Sequence, residues 1–423
     1  MRLLLLTILL ALVAMAACPG AYATPGDVNG DGSVTIADAM LALRASLGLI
    51  QLDSAAAQAA DVAPRPGADG RLFGDGVINV ADVMRILQAA VGLIQESELA
   101  PVANSRIYAL NGKTPLGSPG TASIIDIQAM LSGKPGASVT NAFATGAVPN
   151  QIQVVGDTAY IVNSVSNTLQ IVDLKTLRDA RPPIYLGDGA NPMQAALPGD
   201  GNAYVALLMT NEVAVVNLSS GVVENRIKVG VAPTGAIAAR GKVYVTNTAF
   251  QYDPATQMVT YGQGTVSVID PATAQVVKTL QVGTNPQYVT IDPQGRVHVS
   301  CTGDYGSHPG EVDVIDPRID EVVGRVPVGG SPGPIAITFD GRAYIGDASY
   351  GVTAYNASTL QVTIPPERAL KLGGTVLDIK ADTMGRLYAA LFDKDLVVEF
   401  EPATGAILAQ APTGTGPEAL AIQ

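Results

Sequence analysis

The sequence predicts a protein of the mainly all-β class. A small N-terminal helical module with paired metal-binding loops is followed by seven four-stranded blades arranged in a ring. Two observations carry this prediction. A Gly-x-x-Pro element recurs at blade-length intervals through most of the chain. Nearer the N-terminus, a loop of Asp, Asn and Gly precedes an apolar stretch of helical period, and a similar stretch follows 44 residues later.

Composition narrows the class of protein. Of the 423 residues, 48% are hydrophobic and 15% are charged, so the chain can bury a large core. The 45 glycines and 28 prolines show no collagen-like period and indicate many tight turns between short strands. A net charge of −12 argues against nucleic acid and anionic membranes as partners and suits a protein that captures cations.

Residues 1–23 are expected to be a signal peptide. Arg2 supplies a positive charge, and the apolar run that follows it is too short to span a bilayer comfortably. Cleavage after Ala23 matches an Ala-x-Ala site, and a lipoprotein-type cleavage that leaves Cys18 lipidated is the alternative. We therefore expect a secreted, extracellular or cell-surface protein without a transmembrane span.

The segment after this leader reads as a calcium-binding loop. Oxygen-bearing side chains stand at positions 1, 3, 5 and 12, and a glycine at position 6 permits the sharp turn. Calcium takes about six to eight oxygen ligands, and a solvated turn does not explain four donors in register with that glycine. The expected ligands are Asp27, Asn29, Asp31, Asp38 and the backbone carbonyl of Ser33.

A second copy of this unit is expected because residues 33–51 and 77–95 are closely similar. In the second copy, Asp75 and Asp82 occupy positions 5 and 12. Val77 takes position 7, where a backbone carbonyl is the ligand.

The start of the second loop departs from the pattern. Counting back from Asp82 places Arg71 at position 1, where it cannot bind calcium. Asp61 can serve as position 1 if residues 63–74 form an insertion, which leaves position 3 without an obvious ligand. We therefore expect a second calcium site that is weaker than the first.

This paired loop-helix arrangement resembles the dockerin family over residues 26–95. The resemblance implies a small α-helical domain, assigned to residues 24–96, with two calcium ions and calcium-dependent docking onto a cohesin-type protein partner. In dockerins, positions 10 and 11 of each loop help to select the cohesin, and apolar pairs are closer to type II than to type I. The residues at these positions are Ile36, Ala37, Val80 and Ala81.

The repeat that follows has the length and strand pattern of a propeller blade. Successive Gly-x-x-Pro glycines lie 41 to 53 residues apart, and four short strands fit between them. Each second strand carries an aromatic residue at one position. The glycines are Gly146, Gly189, Gly230, Gly283, Gly329, Gly373 in a degenerate copy, and Gly414, and the ring-bearing residues are Tyr160, Tyr204, Tyr244, His298, Tyr344 and Tyr388.

The two ends of this module are expected to close the ring. The last copy stops after its first strand, and the missing strands lie at the start of the module, with Tyr108 in the aromatic position. Six complete blades and this split closing blade make seven, so residues 104–423 are assigned to a seven-bladed β-propeller. The polar residues 97–103 form the linker before it.

The blades resemble the YVTN family of propeller repeats, named for a motif that occurs here at Tyr244 to Asn247. The resemblance spans residues 104–423 and implies the fold, because propellers host unrelated activities.

No catalytic motif stands out, and no catalytic residue is assigned. Only His298 and His308 are histidines; the first takes a tyrosine position and is expected to pack as a ring. The function predicted is therefore non-catalytic binding or scaffolding by a monomer, with an unknown ligand on the propeller. The alternative is a propeller hydrolase or lyase, similar to lactonases or streptogramin lyases, attached through the dockerin-like module.

One face of the propeller is the expected ligand site. The Gly-x-x-Pro loops and the connections between second and third strands lie on the same side, and three of those connections are long: residues 111–121, 247–264 and 302–310. Long loops are commonly kept for binding. They carry to one rim Tyr252, Asp253, Tyr261, Asp304, Tyr305 and His308.

Overall fold

The structure, a computed structural model, describes residues 24–63, 77–94, 99, 105–115, 117–347 and 351–423. Within these ranges the chain forms two compact units, one ending at Leu99 and the other beginning at Ser105. The expected signal peptide, Asp75 and almost all of the linker lie outside the described residues. No helix of the described residues combines the length and apolar character needed to cross a membrane.

The N-terminal unit contains three helices: α1 (Ile36–Ser46), α2 (Ser54–Ala60) and α3 (Val80–Ala90). The two repeated helices, α1 and α3, pack against each other. They begin with the same capping box, since Thr35 and Asn79 each cap a first turn whose third residue, an aspartate, accepts a hydrogen bond from the capping residue. The internal repeat in the sequence is thus a repeat in local structure.

The C-terminal unit is a seven-bladed β-propeller, as the sequence predicts. Among the described residues its seven main sheets are antiparallel; six have four strands, one has five because its fourth strand is split into two short segments, and one blade carries an additional two-stranded hairpin. Glycines and short polar turns separate the strands. Before the first complete blade come β1 (Arg106–Asn111), β2 (Thr121–Asp126), α4 (Ile127–Leu131) and β3 (Ser138–Ala144).

Blades 1 to 3 follow in chain order. In blade 1 the third strand pairs with two short segments, and blade 3 contains the additional hairpin. Blade 1 is β4 (Pro149–Val155), β5 (Thr158–Asn163), β6 (Thr168–Asp173), β7 (Arg178–Asp179) and β8 (Ile184–Tyr185); blade 2 is β9 (Pro192–Ala196), β10 (Asn202–Leu207), β11 (Glu212–Asn217) and β12 (Val222–Lys228); blade 3 is β13 (Pro233–Ala239), β14 (Lys242–Asn247), β15 (Phe250–Asp253), β16 (Met258–Tyr261), β17 (Thr265–Asp270) and β18 (Gln275–Gln281).

Blades 4 to 6 repeat the simple four-stranded pattern, with a short 3₁₀ turn at Pro366–Arg368 after the last strand of blade 5. Blade 4 is β19 (Pro286–Ile291), β20 (Val297–Cys301), β21 (Glu311–Asp316) and β22 (Glu321–Val326); blade 5 is β23 (Pro332–Ile337), β24 (Arg342–Asp347), β25 (Gly351–Asn356) and β26 (Val362–Ile364); blade 6 is β27 (Val376–Ala381), β28 (Leu387–Leu391), β29 (Leu396–Phe400) and β30 (Ile407–Pro412). The last strand of the chain is β31 (Pro417–Ile422).

The closing blade joins the two ends of the propeller. Its strand order is β3-β2-β1-β31, and β31 pairs antiparallel with β1, as where Ala109 lies opposite Leu420. The Tyr108 hydroxyl also donates a hydrogen bond to the side chain of Gln423, at 2.8 Å. The first strand of each blade contacts the first strand of the next around the whole ring, from β4 through β31 and back to β4.

In three blades the aromatic residue of the repeat forms a hydrogen bond with the turn before its strand. In blades 2 and 6, Tyr204 and Tyr388 are buried and donate hydrogen bonds to Asp200 and Asp382, at 3.0 and 3.1 Å. In blade 4 the buried His298 makes the equivalent contact, with Nε2 3.0 Å from Asp292. The prediction that this histidine packs as a ring in place of tyrosine is confirmed.

Candidate functional site

Backbone amides hold the first three donors of the N-terminal loop in place. Asp27 accepts hydrogen bonds from the backbone amides of Asp31 and Gly32, at 3.1 and 2.9 Å. The Asn29 side chain accepts one from the amide of Asp31, at 2.8 Å, and Asp31 accepts one from Ser33, at 3.0 Å. The loop therefore curls around its own oxygen-bearing side chains.

Asp38 joins this loop to helix α1. Its carboxylate is fully buried and accepts hydrogen bonds from the amides of Asn29, at 3.0 Å, and Thr35, at 2.8 Å. Position 12 of the loop thus contacts position 3 and caps the helix at the same time. A change in the hydrogen bonds of Asp38 would therefore alter the capping of the first turn of α1.

The second loop repeats this arrangement across an insertion. Asp82 is also fully buried and accepts hydrogen bonds from the amides of Val62 and Ala63, both at 2.8 Å, and of Asn79, at 2.9 Å. The amide of Ala63 donates to Asp82 in the same way as the amide of Asn29 donates to Asp38. This geometry gives Asp61, two residues before Ala63, the place that Asp27 has in the first loop.

The remaining residues of the second loop are less favourable for a cation. Ala63 offers no side-chain oxygen at position 3, and the Val77 carbonyl accepts a hydrogen bond from the Asn79 side chain, at 3.0 Å. Asp75 lies outside the described residues. The described part of this loop therefore supplies fewer oxygen donors than the first.

Calcium is compatible with the donors of the first loop. Three carboxylates and one side-chain amide oxygen lie within residues 27–38, and each oxygen that accepts one amide hydrogen bond retains a second lone pair. Across the described ranges, no group of three or more His, Cys, Asp or Glu side chains is already drawn together around a point. In the first loop the carboxylates face backbone amides, and one of the four donors is the amide side chain of Asn29.

The predicted partner-contact residues all lie on the surface. Ile36 and Val80 are 54% and 63% exposed, and Ala37 and Ala81 are exposed beside them. Other apolar side chains extend both surfaces at matching positions. These are Met40, Leu47 and Leu49 on the first copy, and Met84, Val91 and Leu93 on the second.

The structure brings together two of the six predicted rim residues of the propeller. The ring centroids of Tyr261 and Tyr305 lie 6.3 Å apart, and the Phe250 ring meets that of Tyr261 edge-on, at 6.0 Å. Gln287, from the first strand of blade 4, donates a hydrogen bond to the Tyr305 hydroxyl, at 3.2 Å. This aromatic cluster thus joins the long connections of blades 3 and 4 to the central strands.

The other four rim residues are engaged within their own loops. Tyr252 pairs with Val259 across the β15-β16 hairpin, and Asp253 accepts the Ala255 amide in its turn, at 2.9 Å. His308 Nδ1 lies 2.6 Å from Asp304 in the same connection. That contact, with backbone amides of the loop, holds the pKa of the Asp304 carboxyl well below its ordinary value.

A channel along the propeller axis is the feature that sequence reasoning missed. It has a volume of about 880 Å³ and is lined by the first strand of every blade. Several of its side chains tie neighbouring blades together. Gln151 accepts the Ala195 amide, at 2.7 Å, and Asp378 accepts the Leu420 amide, at 2.8 Å.

Glu418 in this channel is the exception. Its Oε1 is buried and has no hydrogen-bond partner. Burial raises the pKa of the Glu418 carboxyl to about 7. Aligning the residue after each Gly-x-x-Pro element would have revealed this acid, because Glu418 is the one charged residue in that register.

Comparison with known proteins supports the fold. No family model matches the chain. No curated protein matches it either. Among solved structures, hydrazine synthase of Kuenenia stuttgartiensis is similar over 64% of this chain and 88% of that chain, with a TM-score of 0.54 and 19% identity. At that identity the likeness extends to the fold and carries no information on activity.

Proposed function

We propose that the protein is an exported, non-catalytic binding protein. Its N-terminal unit is a dockerin-type module that binds calcium and docks onto a cohesin-type partner, and its propeller presents a ligand-binding face. One observation carries the proposal: the two repeated helices expose matching apolar residues directly after loops whose sequences have the spacing of a calcium-binding loop.

The exposed residues form a face rather than isolated positions. On α1, Ile36, Met40 and Leu43 follow one another at helical spacing, and all three are exposed. On α3, Val80 and Met84 repeat the first two positions. Soluble proteins seldom expose a contiguous apolar surface unless a partner covers it, so this repeated face is the expected docking surface.

Calcium in the first loop would stabilise the helix that carries this surface. Asp27, Asp31 and Asp38 place like charges in one short loop, and a bound cation offsets their repulsion. Asp38 also caps α1 through Thr35. Binding at the loop therefore stabilises the helix that presents the apolar face.

The test is a binding measurement with purified cohesin domains of both types, on the full mature chain, in calcium and in chelator. The variant is Ile36→Ser with Val80→Ser, which removes apolar area from both helices without touching a loop ligand. Met209→Ser is the matched control, since Met209 is an equally exposed apolar residue on the propeller.

We expect calcium-dependent binding that the double variant weakens by about tenfold or more, as for residues at the centre of an interface. The Met209→Ser control should bind like the parent. Binding that persists in chelator, or an unchanged affinity in the double variant, would refute the proposal. So would the absence of binding to every cohesin tested.

A further inference from the structure

The mouth of the propeller channel carries one unpaired acid. The residue that follows each Gly-x-x-Pro element lies at the end of the channel where the first strands begin, here called the channel mouth. Six of the seven blades place an uncharged residue there, and the closing blade places Glu418. The uncharged residues are Asn150, Met193, Thr234, Gln287, Gly333 and Leu377.

The closing blade holds the Glu418 carboxyl in a confined position. A β-carbon built on Gly112 would lie 1.4 Å from Glu418 Oε1, so the carboxyl lies directly against the backbone at the start of the β1-β2 connection. A larger residue at position 112 would displace the carboxyl from this place. A buried carboxyl oxygen without a hydrogen-bond donor is costly, and here the protein supplies none to Oε1.

The lysine of the channel wall and the lysine of the β1-β2 connection each contact another group. Lys380 Nζ lies 2.9 Å from Asp378, which also accepts the Leu420 amide. Lys113, in the same connection as Gly112, lies over the ring of Phe392 with Nζ 5.5 Å from its centroid. The negative charge of Glu418 is therefore not matched by either side chain.

Two tyrosines of blade 4 lie near the channel mouth. Tyr288, on the first strand of blade 4, lines the channel, and its neighbour Gln287 donates a hydrogen bond to the Tyr305 hydroxyl, at 3.2 Å. Tyr305 is 64% exposed and has a positive φ of 61°, a conformation that is uncommon for a tyrosine. The backbone is thus held in an unfavourable region while it presents an aromatic ring at the rim.

We propose that the channel mouth binds a primary ammonium group, with the Glu418 carboxylate accepting its hydrogen bonds and the rings of Tyr288 and Tyr305 contacting the organic cation. Glu418 lines the channel, so an ammonium group there can offset the charge of its carboxylate, and tyrosine faces attract cations. The net charge of −12 favours the approach of such a ligand. This inference specifies the ligand class for the propeller half of the proposed function and rests on that half.

The experiment is calorimetric titration of the full mature chain with 1,5-diaminopentane and, as an uncharged probe of similar shape, 1,5-pentanediol. A short peptide with one central lysine and blocked ends distinguishes a side-chain amine from a free amine as the source. The test variant is Glu418→Gln, which keeps the shape of the side chain and removes its charge. Asp157→Asn is the matched control, because Asp157 is an exposed acid in the β4-β5 turn, at the opposite end of the first strands.

We expect the diamine or the lysine peptide to bind and the diol not to bind. Glu418→Gln should weaken binding by about tenfold or more, which is the size expected for loss of a confined charge pair, and Asp157→Asn should leave it within about twofold. Tyr305→Leu should weaken it less, because the ring contact is partly exposed. Thermal melts of each variant show whether the fold is retained.

Three outcomes would overturn the inference: no binding of either amine, equal binding of the diol, or an unchanged affinity in Glu418→Gln. If Glu418→Gln melts early, Tyr305→Leu and the diol comparison decide. Cohesin docking is measured on the other unit, so intact calcium-dependent docking with no amine binding rejects this inference alone. Amine binding without docking rejects the dockerin half of the proposed function alone.

Discussion

A β-carbon built on Gly230 would lie 2.6 Å from Cγ of Asn247, the residue that ends the second strand of the same blade. Asn247 in turn donates hydrogen bonds from Nδ2 to Thr265 and Ser267 on the third strand, both at 3.0 Å. The same contact joins Gly146 to Asn163. In these two blades the glycine of the Gly-x-x-Pro element therefore leaves the space that the asparagine at the end of the second strand occupies.

Gly230→Ala should destabilise the propeller by about 1–3 kcal/mol, because the new methyl group overlaps Asn247 and one of the two must move. Gly306→Ala is the control, since the nearest atom to its built β-carbon is 3.6 Å away and its φ is not positive. Urea unfolding monitored by circular dichroism measures both. Equal stabilities for the two variants would show that the contact is not restrictive.

Calcium should control the N-terminal unit and leave the propeller unchanged. Ligand that binds the folded state alone adds about 2.7 kcal/mol at a hundredfold excess over Kd. Calorimetry of the full chain should therefore show two transitions, of which chelator lowers one. Asp31→Ala should reproduce most of that shift without chelator.

The control for the calcium prediction is Asp253→Ala, which removes an exposed carboxylate from a propeller turn. It should leave the response to chelator as in the parent. The calcium prediction fails if chelator moves neither transition or lowers both equally.

Deletion of residues 414–423 should abolish the soluble, cooperatively folded propeller. The deletion removes β31, which pairs with β1 and contacts β4 and β27, so the closing blade loses its inner strand and exposes an edge. Size-exclusion chromatography should show aggregates.

The matched control replaces the β15-β16 hairpin, residues 250–261, by a short glycine linker. This removes about as many residues but keeps the four main strands of blade 3. It should remain monomeric with one sharp propeller transition. A monomeric, cooperative protein from the C-terminal deletion would contradict the closure that β31 provides.

Stability of the propeller should fall as the pH rises through about 6, in part because of Asp313. Burial first, and then the charge of Glu311, raise the pKa of the Asp313 carboxyl to about 6. The folded state then binds more protons than the unfolded state between about pH 4 and 6. The contribution of Asp313 to the free energy of unfolding is fully present below the pKa of its carboxyl in the unfolded chain. It is lost as the pH rises through the pKa of that carboxyl in the folded protein.

Asp313→Asn tests this, because the amide oxygen can still accept the Gly283 amide, which lies 2.7 Å from the carboxylate. The free energy of unfolding, measured in urea at pH 5 and pH 8, should differ less between the two pH values for the variant than for the parent. A pKa difference of one unit corresponds to about 1.4 kcal/mol. An equal difference in both proteins would show that Asp313 does not titrate in this range.

The propeller was predictable because its pattern is local. Within a blade, each strand pairs with a neighbour close in the chain, so a period of glycine, turn and aromatic residue reports the blade directly. The position of His298 followed from the same period, and its burial beside Asp292 agrees with it. The hairpin within residues 247–264 was not predicted, because its two strands are short and largely exposed.

The sequence by itself determined the number of blades and the position of the repeated loop-helix units, because both are written as periods along the chain. Tertiary structure decided which carboxylate oxygens find a hydrogen-bond donor. It placed the Asp82 carboxylate against the amide of Ala63 across an insertion, and left Glu418 without a donor where the strands converge. Such contacts depend on distances between segments far apart in sequence, and a linear period carries no information about those distances.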